Sequence, residues 1–253
     1  MNPYTNGSSV AQREHEWELQ EASHHAQFQT EGEWEAEHEY FSKRMLGDIQ
    51  KVAKASALIA KQLAPIAART LIGATPNPLA GNLLNSLLRD GETTAVAMEA
   101  QLFGSNELEA EVGNTEVAYE AALAEVLAAE ASHSNSESEA EAFLGAAVTG
   151  IVKSMGGGKV LRAVMPTLVQ ANARLVSLLH QKGVEGRRLL RLVPSILRCT
   201  IASLKAAHQG GQSVNSNLAL YVMATQASRV FGNSQVVIRG IIRNALIQKR
   251  TTR

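Results

Sequence analysis

The run Gly150 to Gly211 (GIVKSMGGGKVLRAVMPTLVQANARLVSLLHQKGVEGRRLLRLVPSILRCTIASLKAAHQGG) sets apolar residues at helical spacing, with Lys or Arg returning between them. From Ala146 to Arg253 sixteen Lys and Arg stand against one carboxylate, Glu185. Two acidic lengths upstream cancel that charge, so a formal net charge of zero hides a polarised chain. Segment by segment the balance is −8 for 1–41, +5 for 42–90, −12 for 91–145 and +15 for 146–253. Such sorting leaves the Glu residues of Glu116 to Ala131 without a Lys at the four-residue spacing that an ion pair along a helix needs. Compensation therefore has to come from another segment.

A chain of 253 residues has room for a sizeable core. Aromatics are 4% of it, and Val and Ile recur at helical rather than alternating spacing, so the expected class is all-α: an irregular helical bundle with a flexible acidic N-terminal arm. Cys199 is the single cysteine, which excludes an intrachain disulfide, and its apolar setting ILRCTIASL reads as a buried, inert thiol. The first thirty residues lack the apolar stretch of a secretory signal. Without one, the sequon Asn6-Gly7-Ser8 carries little meaning. No stretch reaches the roughly 18 consecutive apolar residues of a spanning helix. The expected location is cytoplasmic.

Taken in order, 1–41 alternates Glu with aromatic or small residues, as in Glu31-Gly32-Glu33-Trp34-Glu35-Ala36-Glu37-His38-Glu39-Tyr40-Phe41. Glu disfavours strands and like charges two apart repel, so the segment reads as disordered in isolation and able to order on a basic partner. In 42–90, Ile49, Val52, Ala53, Ala57, Ile59, Ala60 and Leu63 form one helical face with Lys51, Lys54 and Lys61 largely on the other. Pro65 is expected to kink or end that helix near Leu63. The Gly73 to Pro78 cluster then reads as a turn, and Leu79 to Arg89 as a short helix stopped by Asp90-Gly91. In 91–145, Glu116 to Ala131 has strong helix propensity, with Val117, Ala121, Leu123, Ala124, Leu127 and Ala128 as its apolar set, and Ser132 to Glu141 reads as a linker.

The 146–253 segment is expected to hold the most compact part of about eight helices. Gly156-Gly157-Gly158 breaks a helix after Ser154, Lys159 to Leu179 resumes it with a kink at Pro166, and Glu185 to Leu192 is short. Pro194 starts a helix running to about His208, with Leu197, Ile201 and Leu204 as its seam and Arg191, Arg198 and Lys205 on another face. Ser213 or Asn215 caps the next, to about Phe231, with Leu218, Tyr221, Val222 and Thr225 inward. In the last helix, Gln235 to about Lys249, Val237, Ile241 and Leu246 oppose Arg239, Arg243 and Arg250. An acidic run, an aromatic and a basic amphipathic block occur twice, over Glu31 to Ala74 and Glu137 to Leu179.

Motif chemistry is sparse. Met155-Gly156-Gly157-Gly158-Lys159 fails as a phosphate loop, since Val160 stands where a Ser or Thr should meet the metal ion and Lys153 where the first glycine belongs. His15, His24, His25 and His38 lie among carboxylates, yet no His-Glu-x-x-His pair or closed Cys/His spacing occurs, so neither a metal nor a cofactor is expected. No Gly-x-Ser-x-Gly elbow or catalytic thiol signature occurs, and the expectation is a non-enzyme. The remaining candidate is a basic binding face of Lys51, Lys54, Lys61, Arg162, Arg174, Arg187, Arg188, Arg191, Arg198 and Lys205. These residues suit the phosphates of nucleic acid or of anionic lipid; the alternatives are solvated helix faces or pairing with the chain's own Glu segments. Absence of stacking aromatics beside them counts against single-stranded nucleic acid.

The Glu-alternating run Glu31 to Phe41, the stretch Leu189-Leu190-Arg191-Leu192-Val193-Pro194-Ser195-Ile196-Leu197-Arg198-Cys199-Thr200 and Val230-Phe231-Gly232-Asn233 together resemble a bacterial family. Its members carry Glu-aromatic repeats ahead of an Arg-rich helical region with a Leu-Leu-Arg-x-x-Pro-x-Ile-x-Arg-x-Thr core. Such proteins accompany gene clusters for extracellular contractile injection systems, the phage-tail-like particles that deliver cargo. The resemblance implies a non-enzymatic accessory or cargo protein, cytoplasmic before particle assembly or release, with a protein partner such as a particle component and basic helices masked by acidic segments. Two other functions fit the amphipathic basic helices: a membrane-disrupting effector acting on an anionic membrane surface, and a self-assembling structural protein.

Overall fold

A computed structural model describes residues 51–52, 54–67, 78–103 and 115–251 of the chain. Among the described residues every regular element is helical, as expected for the all-α class. In chain order they are α1 (residues 51–67), α2 (Pro78–Phe103), α3 (Thr115–His133), α4 (Glu137–Ser154), α5 (Gly158–Leu161), α6 (Met165–His180), α7 (Gly183–Leu189), α8 (Val193–Gln209), α9 (Ser216–Gly232) and α10 (Ser234–Thr251). Short 3₁₀ turns, Arg162–Val164 and Leu190–Leu192, lead into α6 and α8. The expected acidic arm, 1–41, lies outside the described residues, as does most of the first copy of the acidic-then-basic repeat.

Helix α8 is the axis. Every residue from Leu192 to Leu204 is buried, on all sides of the helix, and α2, α3, α4, α5 and α9 all pack against it. Leu197, Ile201 and Leu204 lie inward as their spacing requires, but so do Arg198, Thr200 and Ser203 on the other sides. Polar positions that make α8 look amphipathic in sequence are thus interior. Thr200 and Ser203 avoid unsatisfied hydroxyls by donating to the Ile196 and Cys199 carbonyls one turn back.

Helix α2 runs antiparallel to α8, with Gly91 against Ser203 at one end and Glu99 against Arg198 at the other. Asp90-Gly91 does not stop it, contrary to the turn expected there. A Cβ on Gly91 would sit 2.1 Å from the Ser203 Oγ and 2.6 Å from its backbone nitrogen, so the glycine marks where two backbones touch. Leu88, Gly91 and Ala95 make the contact stripe at helical spacing. Gln226 of α9 locks the crossing, donating to the Leu88 carbonyl and the Ser203 Oγ, each at 3.0 Å.

Helices α3 and α4 form an antiparallel hairpin with Ala121, Ala124, Ala128, Ala131, Ala140 and Ala147 buried. The Ser132 to Glu141 stretch is not a linker. Only Ser134, Asn135 and Ser136 separate the helices, and the Ser136 hydroxyl caps α4 by accepting from the Glu139 N–H. Pro65 likewise fails to end α1 near Leu63. The helix continues to residue 67 because Leu63 and Ala67 bury one side of its last turn, and proline there forfeits one backbone bond.

Boundaries expected at 90/91 and 145/146 fall inside α2 and α4, and Lys51–Arg253 clusters as one unit. A change of charge sign along the sequence is not a domain boundary where opposite signs have to meet in one core. The cap expected at Asn215 is observed, its Oδ1 accepting from the Leu218 N–H at 2.9 Å, and Asn233 Oδ1 accepts from the N–H groups of Gln235 and Val236 at the start of α10. Leu246 is an exception to the expected α10 face. Val237, Ile241, Asn244 and Ile247 take the inward positions, which leaves Leu246 on the far side and 43% exposed.

Gly91→Ala is expected to destabilise the protein by at least about 1–3 kcal/mol through overpacking against backbone. Gly145→Ala, where an added Cβ meets nothing within 4 Å, is expected to stabilise by about 0.5–1 kcal/mol. Urea unfolding midpoints check both; equal shifts of one sign would refute the close-crossing account of Gly91.

Candidate functional site

The expected basic face does not exist as one surface. Lys51, Lys54 and Lys61 are exposed on α1, and Arg162 and Arg174 are exposed at the start and along the outer side of α6. Arg187 and Arg188 are half-buried on α7, where the Arg187 guanidinium donates to Asn135 Oδ1 at 2.8 Å. Arg191, Arg198 and Lys205, seven residues apart, point inward rather than to solvent. The Lys205 ammonium donates to the Met155 carbonyl beyond the end of α4. Arg191 bridges α3 and α10 by donating to Ser132 Oγ, Asn244 Oδ1 and Gln248 Oε1, with its Nη2 also 3.1 Å from His133 Nε2.

Arg198 is 1% exposed and is the largest fully buried side chain. Its Nε donates to Glu99 Oε1 of α2 at 2.8 Å and its Nη2 to Glu125 Oε1 of α3. Arg243 of α10 reaches the other Glu99 oxygen, stands 3.9 Å from Glu125 Oε1, and donates to Ser195 Oγ. Asn244 Nδ2 donates to the Glu125 side chain at 2.7 Å and to its backbone carbonyl at 2.8 Å. Two carboxylates and two guanidinium groups thus balance in a water-poor centre, each from a different helix: α2, α3, α8 and α10.

Burial alone would push the Glu99 carboxyl up, but the Arg198 and Arg243 guanidinium groups outweigh it and hold the carboxyl below its ordinary value. For Arg198, burial opposes the charge while Glu125 and Glu99 more than restore it, so the group titrates above its ordinary range. Arg191 moves the other way because burial, its largest influence, together with the nearby Arg188 charge outweighs the pull of Glu130 and Glu125. Cys199, next to Arg198, is buried and its thiol is pushed up to about 12 by that burial and by Glu99, which keeps it protonated and inert.

Three further acids of 91–145, Glu92, Glu116 and Glu120, meet cations at the surface. Lys153 of α4 pairs with Glu116 at 2.7 Å and Glu120 at 3.5 Å beside an open crevice completed by Val117 and Ser154, and Arg229 lies 3.7 Å from Glu92. The hydrogen bond to Lys153 lowers the Glu116 carboxyl and raises the Lys153 ammonium. Pairing with the chain's own Glu residues is therefore realised, through Arg198, Arg243, Arg229 and Lys153. Three of these four lie outside the expected face.

Glu99, Glu125, Arg243 and Asn244 were not anticipated as members of a buried cluster, although two signals existed. Glu125 falls at helical spacing between Ala121 and Ala128, on the apolar face of α3, and Arg198 is the one charge between Val193 and Leu204. Among the described residues no group of three or more His, Cys, Asp or Glu is placed to hold a metal ion, and no helix is long and apolar enough to cross a membrane. His15, His24, His25 and His38 lie outside the described residues. Comparison with known protein families, curated proteins and solved structures finds no match.

Arg198→Ala strands two buried carboxylates and is expected to cost about 3–5 kcal/mol by denaturant unfolding. A loss below about 1 kcal/mol would refute the central role of the cluster. Because folding lowers the Glu99 carboxyl, its contribution is complete above the ordinary carboxylate range and lost as pH falls through the lowered value. Stability is therefore expected to drop in acid below about pH 4.5, with a shallower drop in Glu99→Gln. Parallel pH profiles for the two proteins would contradict this.

Proposed function

We propose that the chain is a non-enzymatic accessory or cargo protein of a contractile injection particle, which binds an anionic partner through outward cations left over from internal pairing. One observation carries the binding part of this reading. In 51–253 there are 21 Lys and Arg against 14 Asp and Glu, a net charge of +7. Five of those carboxylates, Glu92, Glu99, Glu116, Glu120 and Glu125, already face Arg or Lys within the fold. Lys51, Lys54, Lys61, Arg162 and Arg174 remain at the surface, where excess positive charge steers an anionic partner and raises its association rate.

Arg162 and Arg174 fall on one outer line of the α6 region with Pro166 and Gln170, four residues apart in turn, and Val169 beside them. The inner side of the same helix buries Leu168, Leu175, Val176 and Leu179, so this face cannot turn inward without giving up its core contacts. The particle context rests on the resemblance of Leu189 to Thr200 and of the Glu-aromatic run. The structural role of Arg198 gives a physical reason for an arginine at that place in the Leu-Leu-Arg-x-x-Pro-x-Ile-x-Arg-x-Thr core. Acidic masking, in this reading, is partial: of the ten residues of the expected face, Arg198 is paired with acids of 91–145, while Lys51, Lys54, Lys61, Arg162 and Arg174 stay exposed.

Binding to soluble polyglutamate at low salt is expected to weaken about tenfold in the Arg162→Glu/Arg174→Glu variant, the scale of two reversed charges at a screened surface. Unchanged affinity in a folded variant would refute the α6 surface. Co-expression with an injection-particle gene cluster, followed by particle sedimentation, tests the context: the wild-type chain is expected in the particle fraction, and its absence there would count against the cargo role.

A further inference from the structure

We infer that α1 is a peripheral membrane-binding helix that seats its outer face on an anionic lipid surface. The inference rests on the preceding reading only for the sign of the partner, and it commits the α1 lysines to lipid. Val52, Ser56, Ile59, Ala60, Leu63 and Ala67 are buried, and the Ser228 hydroxyl of α9 donates to the Ala60 carbonyl at 3.2 Å, so one side of α1 is held on the body of the protein. Directly opposite, at spacings of three and four, lie Lys51, Lys54, Leu58, Lys61 and Pro65, all exposed.

Leu58 is 64% exposed, with Lys54 one turn before it and Lys61 one turn after. No Asp or Glu occurs between Asp48 and Asp90, so nothing along this helix offsets the lysines. An aliphatic side chain framed by flexible ammonium groups suits the boundary between lipid headgroups and acyl chains. The lysine stems extend so that each ammonium stays with phosphate or carboxylate headgroups while Leu58 enters the apolar layer. A carboxylate- or base-reading surface would favour the rigid fork of arginine, and α1 has none. Because its opposite face is engaged with the protein core, α1 binds flat on the lipid surface.

The binding is weak, reversible and salt-dependent. Each lysine contributes about fivefold to partitioning onto an anionic bilayer, and burying Leu58 adds roughly tenfold. The test is cosedimentation of the full-length protein with vesicles of phosphatidylcholine alone, or with about a third phosphatidylserine. The wild-type chain is expected on the anionic vesicles only. Lys51→Gln/Lys54→Gln/Lys61→Gln is expected to lose roughly a hundredfold in binding. Leu58→Ser is expected to lose about tenfold on vesicles with unchanged binding to polyglutamate. Wild-type vesicle binding by Leu58→Ser, or equal binding to neutral vesicles, would overturn the inference. Failure on anionic vesicles with polyglutamate binding intact would sink the lipid assignment alone; loss of polyglutamate binding on charge reversal of Arg162 and Arg174, with vesicle binding kept, would separate the two surfaces.

Discussion

An arginine in the middle of a helix that is buried on every side has to find its counter-charge inside the protein. Arg198 on α8 does so with Glu99 from α2 and Glu125 from α3. Arg243 from α10 then balances the second negative charge, with Ser195 and Asn244 adding hydrogen bonds. Taking such groups out of water is costly, and the attraction between them offsets that cost only when every partner is in place. Four helices are therefore interdependent at this point, and two of them, α2 and α3, come from outside the 146–253 segment that holds α8.

The closest contacts elsewhere follow the same geometry. Glu99 reaches Arg198 because α2 lies directly on α8, and α2 lies there because Gly91 allows its backbone to approach Ser203. Glu125 projects inward because the alanines on either side of it, packed against α4, leave α3 close to the axis. Small residues at helix crossings and charged residues at the centre are two parts of one arrangement. The same pairing withdraws carboxylates from the rest of the molecule, and the exposed lysines of α1 and arginines at the α6 surface are among the cations that remain.

Helix existence, helical class and most caps were legible because they depend on neighbours a few residues apart. The end of α4 before Gly156, the start of α8 at Val193-Pro194 and the Asn215 cap all follow from local backbone chemistry. Where local signals misled, a distant contact had overridden them. Asp90-Gly91 reads as a stop until Ser203 is seen against it, Ser132 to Glu141 reads as a linker until the alanine hairpin closes around it, and Pro65 reads as an end until the burial of Ala67 is known.

The sorting of charge was determined by the sequence alone, and so was the requirement that the Glu116 to Ala131 helix find cations from another segment, since no Lys or Arg within one turn supplies them. Which cations would be used was decided only in three dimensions. Arg191, Arg198 and Lys205 repeat at a spacing that marks one helical face, and nothing local says whether that face meets water or protein. Neighbouring helices covering every side of α8 turned a presumed surface stripe into interior ties, and left Lys51, Lys54, Lys61, Arg162 and Arg174 facing outward. Burial is a property of what packs around a residue, and residues far apart in the chain supply it.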